Sequence, residues 1–503
     1  MSVATPAAKL ALTLGVSGSQ QGPAAALVGA TVLAACEENR LTRSRQRESA
    51  AVPALAVSEL LDFLGQTTAS IRSAATTGGG LFPGLETGAV DHQLAHAAYA
   101  FHSSPFDDAV VIVCDGSSDN GWTAWRATET GLTRIDDDLG RFPLAERYSE
   151  LTTALGLSAG QHEHIVEAMA RVATSAPHPA ADAITVNDSG MVTASNWRDL
   201  IVAADGERGT PAQLAVAAAV QARLVDALLE LLARVQRVTG SSRVCLAGGL
   251  FYNTHFTTAA ATRGPFSEVF VPTHPGDAGS ALGAALTMTT ERPPKSLLSS
   301  PFLGPGYSLS RVKEALDNCK LSYSLPGEDR LLESIVDALA RGWLVGWFEG
   351  RMEWGPRALG HRSVLASPGS AHVLDNLNGF LKQRPWYRAY GVSVPLHRVK
   401  DLFDGPPSAA YMQFEYRPRN PELFRAILPK GASTIRVHTV DDREPRLLRL
   451  LNLWEQRSGS PMLVNTSFNG FHEPLVCTPR DAVRVFYGTG LDILSVEGFL
   501  LSK

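Results

Sequence analysis

Apolar runs of strand length alternate with amphipathic stretches of helix length along most of the chain. The first run, residues 10–16, is followed by a Gly/Ser/Gln turn at 18–23 and a second run at 24–35, which together predict a β-hairpin with a polar tip. Helices are expected over 57–65 and 91–101, separated by a Gly/Thr-rich loop at 75–80. Residues 109–114 are continuously apolar and stop at Asp115-Gly116, the pattern of a strand buried on both faces. From 149 to 210 the periodicity fades, and short helices and loops are expected. A long amphipathic helix follows at 214–238, then a buried strand at 244–247, a short strand at 270–271, a His274-Pro-Gly-Asp turn and a helix over 278–286.

Around 291–305 the sequence shifts to Pro, Ser and Leu without a period, and a domain boundary is expected at residue 300. Beyond it, helices are predicted at 331–341, 446–458 and 480–487, and strands at 344–348, 435–440 and 462–464. The expectation is an α/β fold in two parts, 1–300 and 301–503. No internal repeat of fixed short period is found.

The 503 residues are 45% hydrophobic and 19% charged with a formal net charge of −5, an ordinary globular composition. No Lys/Arg-rich run invites nucleic acid. The start lacks a signal-peptide pattern, and apolar stretches such as 214–232 are interrupted by Gln, Arg, Asp and Glu, so no membrane span is expected. A cytoplasmic monomer or homodimer follows. The five cysteines are far apart and form no CxxC pair, which predicts buried free thiols.

Within this frame, His92 and His96 stand four residues apart in a helical segment, so both imidazoles share one face. Thirteen histidines in 503 residues give about 0.3 such pairs by chance, so the pair is weak evidence alone. Asp115 ends a buried strand, and Asp277 opens a helix from the His274-Pro-Gly-Asp-Ala-Gly turn. Two imidazoles and two carboxylates suit Fe, Mn or Zn better than Ca or Mg. Ordinary turn or N-cap roles are the commoner fate of such aspartates, and spacing does not choose.

Asp115-Gly116-Ser117 and Ala247-Gly248-Gly249 each follow an apolar strand, while Gly276 and Gly279 flank Asp277. Glycines between strand and helix let backbone N–H groups approach a phosphate, so three such turns predict a nucleotide site. Neither a Walker A motif nor a Rossmann fingerprint is present.

The second part carries two cation-rich stretches, Trp354-Gly-Pro-Arg-Ala-Leu-Gly-His-Arg-Ser, containing Arg357 and Arg362, and Lys382-Gln-Arg-Pro-Trp-Tyr-Arg, ending at Arg388. They are poor in acids and interleaved with aromatics and Gly/Pro turns, unlike a solvated salt-bridge face. With Arg436 and the short polar side chains of Val464-Asn-Thr-Ser-Phe-Asn-Gly, headed by Asn465, they outline a pocket for a small anion with an amide end. A stability network is the alternative.

These stretches, in this order, resemble the carbamoyltransferase family that includes the nodulation-factor enzymes and the antibiotic-tailoring O-carbamoyltransferases; the resemblance covers nearly the whole chain. It implies an actin/hexokinase-like ATPase domain, related to tRNA threonylcarbamoyl transferase, over 1–300. Over 301–503 it implies a smaller α/β domain of the threonylcarbamoyl-adenylate-synthase type. It further implies carbamoyl-AMP formation from carbamoyl phosphate and ATP (with Mg2+), then transfer to a hydroxyl of a small-molecule acceptor, as in antibiotic or other secondary metabolism. Under this resemblance His92, His96, Asp115 and Asp277 match the metal ligands, Fe2+ foremost with Mn2+ or Zn2+ as alternatives. Lys382, Arg388, Arg436 and Asn465 match carbamoyl-phosphate contacts, Arg357 and Arg362 are further phosphate partners, and Asn253 joins the nucleotide-site glycines. Lys382, Arg388 and Asp115 are the catalytic candidates.

Departures from the family pattern are local. Gln21-Gly22 stands where the family has His-Asp, Arg45-Gln46 replaces an expected Lys-His, and Tyr387-Arg-Ala-Tyr loses a proline. The base in the first part is therefore open; His162 and His164 are candidates, with surface histidines the bland reading. Competing functions are a sugar-kinase-type phosphotransferase, a non-catalytic paralogue and a tRNA-modifying fusion. The first leaves the cations at 351–388 unexplained, and the last wants a basic surface.

Overall fold

The computed structural model describes residues 10–18, 23–44, 52–78, 85, 87–135, 138–173, 177–201, 208–290, 292–370 and 372–503. Gln21-Gly22 and Arg45-Gln46 lie outside the described residues. Among those described, no helix is long and apolar enough to cross a membrane.

Two five-stranded sheets of identical topology occupy the N-terminal half. The first contains β1 (Leu12–Ser17), β2 (Ala24–Gly29), β3 (Val32–Glu37), β4 (Ile71–Thr76) and β5 (Thr87–Ala89) in the order β3-β2-β1-β4-β5. The second contains β6 (Asp108–Val113), β7 (Thr123–Thr128), β8 (Gly131–Arg134), β11 (Arg243–Ala247) and β12 (Glu268–Phe270) in the order β8-β7-β6-β11-β12. In each, an antiparallel three-strand meander continues through two parallel strands. This duplicated unit is the actin/hexokinase-like architecture that the resemblance implied. The predicted run at 24–35 is two strands, because Ala30 and Thr31 form a two-residue turn within apolar sequence that offers little turn signal. The weakly patterned region is inserted within the second unit, between β8 and β11, and forms a small hairpin, β9 (Ile184–Asn187) and β10 (Gly190–Thr193). The predicted long helix runs Pro211–Thr239, started by Pro211 after the Thr210 cap and stopped by left-handed Gly240.

Each sheet's last strand leads into a helix, His92–Ser103 after β5 and Gly279–Met288 after β12. These equivalent helices cross at very short range. A Cβ on Gly283 would come 1.8 Å from the Ala95 carbonyl oxygen, and one on Gly15 of β1 would come 1.9 Å from the Ala281 oxygen. Glycine at both positions is what lets helix, helix and sheet approach backbone to backbone.

The C-terminal part is one mixed nine-stranded sheet. Its strands are β13 (Val345–Phe348), β14 (Arg362–Ala366), β15 (Gly391–Pro395), β16 (Phe403–Asp404), β17 (Glu415–Pro418), β18 (Ile435–Val440), β19 (Leu463–Ser467), β20 (Ile493–Val496) and β21 (Phe499–Ser502). They are ordered β16-β17-β18-β15-β19-β14-β13-β20-β21. Helices Glu328–Ala340 and Pro445–Ser458 cover one face through Leu331, Leu332, Ile335, Leu447, Leu451 and Trp454. A single apolar cluster spanning Val110 to Leu501 joins this sheet to the second N-terminal one. The Pro/Ser/Leu segment is pinned rather than free, since Ala35 N–H donates to the Leu303 carbonyl (2.9 Å) and Trp354 N–H to that of Pro301 (2.6 Å). Cys36, Cys114, Cys245 and Cys477 are buried free thiols; Cys319, at the C-terminal end of a helix whose apolar face ends at Leu316, is exposed.

Candidate active site and metal centre

Asp91 caps the His92–Ser103 helix by accepting from the Leu94 N–H at 2.8 Å, so both histidines sit in its first turns. The duplicated topology then brings the end of β6 and the turn after β12 to this helix. His92, His96, Asp115 and Asp277 each present a ligand atom, all within 4.8 Å of one another. His92 Nε2 lies 3.0 Å from Asp115 Oδ2 and 3.7 Å from Asp277 Oδ1; His96 Nε2 lies 3.6 Å from each. The two Nε2 atoms are 3.1 Å apart. Bonds of ~2.1 Å give ligand–ligand edges of roughly 3.0 Å (octahedral) to 3.4 Å (tetrahedral). The shorter separations lie in that range, the 3.6 and 3.7 Å ones lie just beyond it, and the two-nitrogen, two-oxygen donor set suits a divalent transition ion.

The Asp115 carboxylate is held ionised. Burial opposes the charge on Asp115, but the hydrogen bond to His92 and the field of His96 outweigh it and lower its pKa strongly. Burial likewise opposes a charge on His92, yet Asp115 and Asp277 raise its pKa. Asp115 is also fixed from behind. Gln93 Nε2 donates to Asp115 Oδ1 at 2.7 Å, Ser117 N–H at 3.0 Å, and Thr123 Oγ1 orients Gln93 by donating to its Oε1 at 3.0 Å. Gln93 was not marked in the sequence; its only signal is its place between two ligands on the same helix.

A second charged cluster forms where the C-terminal sheet meets the N-terminal half. Arg436 Nη2 pairs with Glu167 Oε2 at 2.6 Å, and Arg171 bridges Glu167 (3.1 Å) and Glu415 (Nε to Oε1, 3.0 Å). Thr254 donates its N–H (3.0 Å) and hydroxyl (2.6 Å) to Glu167 Oε1. Beside it, Arg357 donates to the Tyr252 carbonyl at 2.9 Å, where burial, and then Arg436, disfavour its charge. Glu167 was not foreseen. With Arg171 it reads in sequence as an i,i+4 surface pair, and only tertiary packing buries it.

Profiles of the carbamoyltransferase N-terminus and C-terminus match residues 85–286 and 336–503. Nodulation protein NolO of Bradyrhizobium diazoefficiens is 31% identical over 445 residues, covering 82% of this chain and 79% of its own. The chain belongs to the carbamoyltransferase family. The 3'-hydroxymethylcephem-O-carbamoyltransferase of Amycolatopsis lactamdurans is 34% identical over 286 residues, 55% of this chain and 52% of its own. Likeness to solved structures is remote: an activator of 2-hydroxyisocaproyl-CoA dehydratase from Clostridium difficile, with bound ADPNP, aligns at TM-score 0.36 and 12% identity, covering 55% of this chain and 93% of its own.

In this carbamoyltransferase the remaining predicted residues have varied settings. Asn465 is buried on β19, donating to Ser393 Oγ (2.9 Å) and the Ala358 carbonyl (3.2 Å), with its Oδ1 lacking a hydrogen-bond partner. Lys382 turns its ammonium into the turn after β19, 3.0 Å from the Asn469 carbonyl. Arg388 lies in the following loop, near enough to Tyr387, Tyr390 and His162 to act on their titration. Arg362 departs from the expected phosphate role. It is fully buried, over the Phe348 ring at 3.5 Å, and donates to the carbonyls of Glu349 (2.7 Å) and Gly350 (3.0 Å). Its neighbours make it a clamp on the loop before β14. Asn253 spends its amide on capping, accepting from His255 N–H (3.0 Å) and donating to Gln221 Oε1 (2.7 Å).

Among the predicted glycines, Gly248, Gly276 and Gly279 make room for other parts of the protein. Their Cβ atoms would meet the Cys114 oxygen (2.2 Å), the Tyr252 ring (2.5 Å) and the His274 oxygen (2.0 Å). A Cβ on Gly116 or Gly249 would meet nothing within 4 Å. His162 sits at the start of the Glu163–Val172 helix, its Nδ1 accepting from Ser158 N–H at 3.1 Å, outside the metal cluster.

Proposed function

We propose that this chain is an O-carbamoyltransferase working in two stages. Residues 301–503 bind carbamoyl phosphate and Mg-ATP, release carbamate, and join it to the nucleotide α-phosphate with loss of pyrophosphate. Residues 1–300 then transfer the carbamoyl group from carbamoyl-AMP to a hydroxyl of a small molecule, in our reading a secondary metabolite. Adenylation is needed because the anionic oxygen of carbamate is a poor leaving group, whereas AMP leaves readily.

Arg436, Arg357, Arg388, Lys382 and Asn465 serve the first stage, the cations neutralising phosphate charge and the amide orienting the carbamoyl end. Gly116 and Gly249 offer open backbone for the nucleotide. His92, His96, Asp115 and Asp277 would hold the ion, Fe2+ in our reading, which when bound would neutralise the adenylate phosphate and polarise its carbonyl. The observation that carries the proposal is the join between the two centres. Arg357 contacts Tyr252, whose ring packs on Gly276, and Gly276 adjoins Asp277. A labile intermediate would thus pass a short way inside one molecule, shielded from water.

The test is pyrophosphate release from ATP with and without carbamoyl phosphate, in wild type and Arg388→Ala. Release that requires carbamoyl phosphate and is lost in the variant supports the adenylate route. ADP as product would replace it with a phosphotransferase.

A further inference from the structure

We infer that Tyr252, His274 and Glu37 form a relay that removes the proton of the acceptor hydroxyl during transfer, an inference that rests on the two-stage reading above. The three groups stand in series. His274 Nε2 is 3.2 Å from Glu37 Oε1, and His274 Nδ1 is hydrogen-bonded to Tyr252 Oη. With Nε2–H donating to Glu37, the lone pair of Nδ1 is left to accept from the phenol. Carboxylate, imidazole and hydroxyl in this order are the arrangement by which a weakly acidic hydroxyl is deprotonated as it attacks.

Each member is fixed in place. Arg40 donates to Glu37 Oε1 at 2.6 Å and to the Gly355 carbonyl at 2.8 Å, and the Trp354 ring lies 4.7 Å from that of His274. Residue 276 has to be glycine, because the Tyr252 ring fills the space of a Cβ. The phenol therefore lies against the residue before Asp277, while its own carbonyl binds Arg357, so it stands between the metal ligands and the cation cluster. None of the three residues is a metal ligand or part of that cluster. The charged and titratable groups around them are Arg40, Arg357, Asp277, Tyr99 and Cys36.

Burial opposes the charge of Glu37, but Arg40 and His274 prevail and hold its pKa at about 2, so the carboxylate is ionised at working pH. Burial raises the pKa of Tyr252, so the phenol keeps its proton until one arrives. In the step, the acceptor proton passes to Tyr252 Oη as the phenol proton moves to His274 Nδ1. The acceptor oxygen bonds to the carbamoyl carbon, the bond from that carbon to the phosphate oxygen breaks, and AMP leaves with the electron pair. The imidazolium, paired with Glu37, releases its proton to water with the products. Tyr252 is the group that touches substrate; His274 and Glu37 are positioning residues acting through it.

The experiment uses the full chain with ATP, carbamoyl phosphate and Fe2+, and two acceptor probes, glycerol and hydroxylamine. Hydroxylamine attacks through nitrogen without first losing a proton to a base. In Tyr252→Phe, carbamoylation of glycerol is expected to fall about 10²- to 10⁴-fold, while hydroxyurea formation and pyrophosphate release stay within about twofold. Glu37→Gln is expected to lower glycerol transfer and to move its pH–rate profile, again sparing hydroxyurea. Equal loss of both products, an undiminished glycerol product, or a wild type that carbamoylates hydroxylamine but never glycerol would overturn the relay. Absence of pyrophosphate release in the wild type would instead remove the adenylate reading beneath it.

Discussion

Gly283→Ala adds a single methyl group where the His92–Ser103 and Gly279–Met288 helices cross, and it should disable the proposed metal centre without touching any of its four candidate ligands. The new Cβ would lie 1.8 Å from the Ala95 carbonyl oxygen, against a practical minimum of 3.0 Å, so at least about 1.2 Å of separation must be found. The second helix has nowhere to retreat, because Gly15 already brings β1 against the Ala281 carbonyl. Ala95 adjoins His96, and Asp277 stands two residues before the second helix, next to its Ala278 N-cap, so the shift falls on two of the four candidate ligands. Metal–ligand distances tolerate roughly ±0.2 Å, several-fold less than the displacement. The expected loss of metal affinity is about 10- to 100-fold or more, with an overpacking cost of about 1–3 kcal/mol in stability. Co2+ titration followed by visible absorption, run beside urea unfolding, measures both. Unchanged affinity in a natively folded variant would refute the argument that this crossing sets the ligand geometry.

Further outcomes follow from the same contacts. Gln93→Leu removes the 2.7 Å hydrogen bond that orients Asp115, and should weaken metal binding about 10- to 100-fold in the same titration while all four ligands remain. Arg171→Met leaves Glu167 and Glu415 buried without their shared cation, and should cost about 3–5 kcal/mol in urea unfolding at neutral pH. Burial opposes the charge on both carboxylates, but Arg436 with Arg171 at Glu167, and Arg171 at Glu415, lower their folded pKa values. Their contribution is therefore fully present above the usual carboxylate range, begins to decline within it, and is lost as pH falls through the lowered folded-state values. The gap between wild type and variant should begin to narrow as pH falls below about 4 and close only as pH passes through the much lower folded-state values, and a gap independent of pH would show that the charges are not its source.

The local pattern determined a good deal by itself. Residues 435–440 form β18 as predicted, the helices expected near 91–101, 214–238 and 446–458 are present within a few residues, and the i,i+4 spacing of His92 and His96 puts both imidazoles on one helix face. Those features depend on neighbours within a turn or a strand, which periodicity records. The strand-end position of Asp115 and the helix-opening turn of Asp277 were equally legible, but their fate was not, because N-capping and ligation ask for the same residue in the same place.

Tertiary structure decided that fate. The two five-stranded units share direction and order without a sequence period, since each strand needs only an apolar run and many runs satisfy it. Their packing brings the ends of β6 and β12 to a helix that follows β5. The same packing buried Glu167 among arginines, enclosed Arg362 in backbone carbonyls, and aligned Glu37, Tyr252 and His274 from three distant segments. A charge pattern names the side chains that can form ion pairs or carry protons. Which partner each one meets is fixed by contacts between residues far apart in the chain, and those exist only once the sheets are stacked and the helices have crossed.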